Sequence, residues 1–233
     1  TSVTLDPKGT LWAGTNVGLW TLTPQGASKV NTPGVPESFV SSILFDAPGQ
    51  GLPRVWVTNY LGLQVREGGQ WRRVGKEEGF PDGSAHALLQ THGPTGDLLW
   101  AGTSAGLGVL ERGRWTFHLP PHWPQEDAVA SLRAAPGSEV PPTLWLGCRF
   151  GGVWQYQRGI WTPFPIEEGR RGARCSDLTI TRGTDGRTWV WAAFLTRGLG
   201  RLEAGRTGAR WRIWSANNLP GLPDTSFGTV LPD

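Results

Sequence analysis

The sequence predicts an all-β protein, a β-propeller of four-stranded antiparallel blades with five blades present. Three observations predict it. One tryptophan-anchored segment recurs five times, at Trp12, Trp56, Trp100, Trp145 and Trp191. Its steps of 44, 44, 45 and 46 residues are too regular for chance. Each unit holds four short strand signals, the arithmetic of a propeller blade. The 233 residues include 34 Gly and 19 Pro, which suits short strands joined by tight turns, and no 3.6-residue period persists long enough for a helix.

Within a unit an apolar run comes first, as at 42–45 or 87–89. The anchor strand follows, as in Leu-Trp-Ala-Gly-Thr from Leu11. Its Trp is large and flat enough to fill the wedge between blades, with the indole N–H finding a backbone acceptor. Gly18, Gly62, Gly106, Gly151 and Gly198 then let the chain turn without Cβ strain. A third strand leads to a fourth that opens on an aromatic residue, Trp71, Trp115, Trp161 or Trp211. Short strands rich in Val, Leu, Ile and Trp, punctuated by Gly, read as antiparallel sheet. The blades fall at about 1–38, 39–83, 84–126, 127–174 and 175–224, and 225–233 reads as the first strand of a sixth. Both ends of the chain thus carry a first-strand signature, one more than five blades use. The expectation is a larger ring, with a closed five-bladed ring as the alternative.

Composition narrows the function. The net charge is +3, and the arginines are spread along the chain with no basic helix, which argues against nucleic acid. There is no run of 18 apolar residues for a membrane span and no signal-peptide pattern. Two cysteines exclude a disulfide framework. With no methionine the chain lacks a start residue, as a processed or excerpted segment would.

The unit beginning at Val3, with Leu5-Asp6, Gly9 and then Leu-Trp-Ala-Gly-Thr-Asn-Val-Gly-Leu ending at Leu19, resembles the two-component regulator propeller repeat. Linkers with Leu-Pro-Asp-Thr-Ser near Asp224 and Phe-Pro-Asp-Gly-Ser near Asp82 fit the same pattern. The resemblance spans the chain and is strongest in units one and three. Units two, four and five depart from it at Thr58-Asn59, Cys148 and Ala193-Phe194. It implies a ring of about seven blades, serving as the periplasmic sensor of a bacterial histidine kinase, diguanylate cyclase or similar protein. The output domain would then lie outside this chain.

The catalytic candidates each have a plainer reading. His118 and His122 are spaced like a metal pair, but Pro120 and Pro121 between them exclude a helix that aims both rings at one ion. Asp82, Ser84 and His86 are close in sequence, whereas triads draw on distant segments. Glu77-Glu78, Glu126-Asp127 and Glu167-Glu168 read as solvated loops. No cofactor motif is present. Cys148 and Cys175 could meet across neighbouring blades, but blades diverge outward, so two unpaired, partly buried thiols are expected.

Binding is the favoured function. The turn between strands two and three should open on the same side as the linkers. Its residues vary from unit to unit on a constant scaffold, which is how loops carry specificity. The ligand-binding candidates are Asn16, Asn59, Tyr60, Ser104, Arg149, Phe150 and Arg197, with Trp123 in a neighbouring linker. The ligand would be a carbohydrate or another small molecule. A structural or protein-interaction propeller is one alternative and a carbohydrate-active enzyme another.

Overall fold

The computed structural model describes residues 2–32, 39–46, 53–93, 96–137, 142–166, 173–222 and 227–230. They form two compact units, Thr1–His118 and Leu119–Asp233. The first holds three four-stranded antiparallel sheets. These are β1 (Ser2–Leu5), β2 (Leu11–Thr15), β3 (Gly18–Thr23) and β4 (Gly26–Lys29); then β5 (Val40–Asp46), β6 (Arg54–Asn59), β7 (Gly62–Glu67) and β8 (Gln70–Arg73); then β9 (Ala85–Gly93), β10 (Gly96–Thr103), β11 (Gly106–Glu111) and β12 (Arg114–His118). The second unit holds two more: β13 (Val129–Ala134), β14 (Leu144–Cys148), β15 (Val153–Gln157) and β16 (Ile160–Phe164), then β17 (Cys175–Arg182), β18 (Thr188–Phe194), β19 (Gly198–Glu203) and β20 (Arg212–Trp214). Every sheet runs in chain order, as a propeller blade does. Among the described residues the helical content is one 3₁₀ turn, Lys76–Glu78.

Side chains alternate across each anchor strand, and this divides its two faces between neighbouring blades. Trp12 and Leu19 of blade one pack on Val40, Ile43, Val55 and Val57 of blade two. Trp56, Leu63 and Val65 of blade two pack on Ala85, Leu99, Ala101 and Trp115 of blade three. In the second unit Trp145 and Val153 pack on Cys175, Leu178, Val190 and Ala192. The anchor Trp is therefore the wedge that the sequence predicts, but its indole acceptor is a side chain rather than backbone. Trp12 donates to Asp6 at 3.2 Å, Trp56 to Asp46 at 3.0 Å, Trp100 to Thr91 at 2.9 Å and Trp191 to Thr181 at 3.0 Å. Blade four places Ala135 there, and the buried indole N–H of Trp145 has no partner among the described residues.

Two kinds of glycine are required. Gly14 and Gly147 sit where the next blade's first strand crosses. A Cβ on Gly14 would lie 2.6 Å from Val40 Cγ1, and one on Gly147 would lie 2.6 Å from Cys175 Sγ. At the turns, Gly18, Gly62, Gly106 and Gly198 have φ between 97° and 117°, a left-handed backbone that disfavours a Cβ. In blade four the left-handed residue is Gly152 (φ 75°) and not Gly151, contrary to the sequence reading.

The first strands are stitched from blade to blade. In four sheets the register slips by one residue near the start of this strand, leaving Ser41, His86, Ala130 and Ser176 as β-bulges. Ser41 Oγ donates to Ala85 O at 3.2 Å, and Leu88 N donates to Ser42 Oγ at 3.2 Å. Leu178 N donates likewise to Ser131 Oγ. Residues 227–230 repeat the pattern on blade five. Ser176 Oγ donates to Phe227 O at 2.6 Å, and Val230 N donates to Asp177 Oδ2 at 3.3 Å. Phe227 O thus accepts from Ser176 Oγ on blade five as Ala85 O accepts from Ser41 Oγ on blade two.

Candidate functional site

The turns between second and third strands are tied to the residue that precedes each first strand. Ser104 N donates to Ser84 O at 3.0 Å, Arg149 N to Ala128 O at 2.9 Å and Leu195 N to Arg174 O at 2.9 Å. Turn and linker therefore share one edge in blades three, four and five. The turns are closed by a side-chain oxygen two residues back, a standard role for Thr and Asn. Thr15 Oγ1 accepts from Val17 N, Thr103 Oγ1 from Ala105 N, and Asn59 Oδ1 from Leu61 N at 2.8 Å. Asn59 is fully buried, so its place is in this turn lock rather than at the exposed tip. Asn16 is exposed at the tip of blade one.

In the first unit the rim gathers one cluster. Tyr60 is 52% exposed. Its ring stacks on Phe39 at 5.4 Å with a 28° tilt and meets His86 edge-on at 6.2 Å. His86 Nε2 lies 2.9 Å from Ser84 Oγ, and Ser104 Oγ donates to Ser84 O at 3.4 Å. Tyr60 and Ser104 are thus linked through His86 and Ser84, which the sequence reading set aside together. Asp82 is held at 2.6 Å by Lys76 and at 3.6 Å by Arg73. Lys76 and Arg73 hold its carboxyl below the usual range. The cluster offers an aromatic face with hydroxyl and imidazole groups at its margin. Such a surface can stack on a flat or apolar ring while hydrogen-bonding its substituents.

In the second unit Phe150 is 45% exposed and Arg149, Arg197 and Trp123 are half-buried. Behind this rim lies Asp127, only 1% exposed rather than in a solvated loop. Its Oδ1 accepts from Ala128 N at 2.8 Å and Phe150 N at 2.9 Å, which fixes the tip against the linker. Its buried Oδ2 has no hydrogen-bond partner among the described residues. Gly151 leaves the room, since a Cβ there would lie 2.5 Å from Oδ2. Glu78 is committed to Arg72 at 2.7 Å and to Gly75 N. Glu167 and Glu168 lie outside the described residues.

Phe39, His86 and Asp127 are the rim residues that sequence reasoning missed. A usable signal exists for His86, a polar residue between two small ones, Ala85 and Ala87, at the phase of Ser41 and Ser176. His118 ends β12, and His122 is a turn residue with φ 59°. Cys148 and Cys175 are free thiols and fully buried, more so than expected. Burial pushes both thiols well above their usual range, and the carboxylates of Asp127 and Asp177 add to it. Among the described residues no helix is long and apolar enough to cross a membrane.

No family profile and no curated protein matches the chain. Solved structures do. The extracellular domain assigned to the hybrid two-component system BT3049 of B. thetaiotaomicron is 21% identical, with TM-score 0.64 over 97% of this chain and 29% of that one. The extracellular domain assigned to the one-component system BT4673 of the same organism is 16% identical, with TM-score 0.61 over 99% of this chain and 35% of that one. Sqt1 of Saccharomyces cerevisiae is 12% identical, with TM-score 0.61 over 94% of this chain and 60% of that one. At these identities the likeness is one of fold. The chain spans about a third of the two extracellular domains.

Proposed function

We propose that this chain is a ligand-binding sensor segment of a bacterial signalling propeller, acting outside the cytoplasm with its output domain elsewhere. The observation that carries this reading is the rim cluster of the exposed Tyr60 with half-buried Phe39, His86, Ser84 and Ser104. It stands on hydrogen-bonded turns whose scaffold repeats while the tips vary. The shared fold with extracellular domains of two bacterial signalling systems supports the setting. The ligand is a small molecule with a flat or weakly apolar face and hydrogen-bonding substituents, a description that monosaccharide and oligosaccharide rings fit. A thermal-shift screen of mono- and disaccharides followed by calorimetry tests it. A binder is expected to lose about tenfold or more in affinity in Tyr60→Ala, since an exposed aromatic platform contributes about 1–2 kcal/mol. Arg149→Ala and Arg197→Ala test the rim of the second unit. Affinity unchanged in all three variants sinks the assignment.

A further inference from the structure

A cleft lies on the outer strands of blade five, away from the strand-two turns. It has a volume of about 360 Å³ and is lined by Trp189, Arg201, Glu203, Arg206, Arg210 and Arg212 among others. Arg201 is half-buried. Its guanidinium lies 4.2 Å from the ring centre of Trp189, 5.4 Å from that of Trp191 and 5.5 Å from that of Trp214. Trp191 and Trp214 are themselves stacked at 6.0 Å. Among the described residues these indoles are its partners, with no carboxylate or carbonyl to take its five N–H groups. Arg212 stands directly opposite Arg201 in the β19–β20 ladder, and its one partner there is Trp214 at 5.0 Å.

Like charges directly opposite across two strands destabilise a sheet. The other blades avoid this. The residue paired with the anchor Trp is Thr21, Val65, Val109 or Gln155 where blade five has Arg201. Glu203, the one acid lining the cleft among the described residues, already has Arg187 at 3.6 Å and Arg206 at 3.4 Å. Among the described residues no carboxylate therefore pairs with Arg201 or Arg212, and the indoles fix the plane of Arg201 in advance. A fixed guanidinium with unmet donors matches an oxyanion, which accepts two parallel N–H bonds from one Arg.

We propose that this cleft binds an oxyanion, a phosphate, sulfate or carboxylate group bridging Arg201 and Arg212. The site is independent of the rim. Equilibrium dialysis with inorganic phosphate, with sulfate and acetate arms at matched ionic strength and chloride as reference, tests it and ranks the three groups. Saturable binding of at least one oxyanion is expected, with a thermal midpoint that rises in its presence. Arg212→Gln and Arg201→Gln should each weaken binding at least tenfold, while Arg66→Gln on blade two leaves it unchanged. Arg212 is exposed, so its variant keeps the fold should Arg201→Gln lose it. Without added oxyanion, Arg212→Gln should melt no lower than the parent, because it relieves the like-charge pair. No saturable binding to any of the three, binding equal in parent and Arg212→Gln, or a lower midpoint for Arg212→Gln in chloride would each overturn the proposal.

Discussion

Among the described residues Trp145 is the one anchor whose indole N–H meets no acceptor, and the cause is a single side chain. Asp6, Asp46, Thr91 and Thr181 each supply an oxygen at the end of the first strand; Ala135 supplies a methyl group. A buried donor left unmade costs about 1–3 kcal/mol, so the blade-four core carries a penalty its neighbours lack. Ala135 also packs against the core of that unit. Threonine keeps a methyl for this contact and adds the hydroxyl, a combination that Thr181 already shows to work in blade five. Ala135→Thr is expected to raise the unfolding free energy by about 1 kcal/mol, or roughly 2–4 °C in Tm for a chain of this size. Calorimetry reads it, and an unchanged or lower Tm refutes the geometry. The Asp variant of this lock has a pH signature. Burial raises the Asp6 carboxyl, but hydrogen bonds from Thr10, Trp12 and Lys8 outweigh it and hold the group below its ordinary value. The stabilisation from Asp6 is therefore present above the unfolded value and lost as pH falls through the folded one.

First strands are joined from blade to blade by serine hydroxyls, and two junctions differ in a way that ranks them. At the first, Ser42 Oγ is the side-chain acceptor for Leu88 N. At the second, Leu178 N donates both to Ser131 Oγ at 3.2 Å and to its own Asp177 Oδ1 at 2.9 Å. Removing the hydroxyl orphans the amide in the first case and leaves it an acceptor in the second. Ser42→Ala should cost about 1–2 kcal/mol and strip the Leu88 amide of protection, whereas Ser131→Ala, which loses the hydroxyl's own bond to Asp177 Oδ1, should leave the Leu178 amide protected. Native-state hydrogen exchange at the Leu88 amide should speed up in Ser42→Ala, and an equal acceleration at the Leu178 amide in Ser131→Ala would contradict the ranking. These elements also show what was legible beforehand. The blades could be read because a wedge-filling Trp and its turn glycine are local signals repeated at a near-constant step. The tips could be read as the variable part of that repeat. The rim itself could not. His86 meets Tyr60 because a β-bulge re-aims it, and Asp127 is buried because Phe150, 23 residues on, turns its amide back toward it. The indole acceptors were missed for the same reason, since an oxygen several residues upstream of the Trp reaches it only once the two strands pair.

At the scale of the whole molecule, the repeat defines what each blade face expects to meet. The residue that pairs with the position after the anchor Trp faces the preceding blade. Ile43 does so against blade one and is 7% exposed, and Leu178 does so against blade four and is fully buried. Val3 occupies this position in blade one, opposite Ala13, and it is 64% exposed. Leu5 on the same face is 60% exposed and Leu22 38%, and Leu11, Ala13 and Trp20 beside them are half-buried. This is a contiguous apolar sheet face of the kind that monomers seldom leave in water. The 233-residue chain is therefore expected to self-associate through it, a second copy covering the face. Sedimentation velocity should show a weight-average coefficient that rises with concentration across the micromolar range. A Val3→Lys and Leu5→Lys double variant should abolish the rise. Both side chains are mostly in water already, so the variant should melt close to the parent. A coefficient independent of concentration in the parent, or a rise of equal size in the double variant, would show that the face stays in solvent.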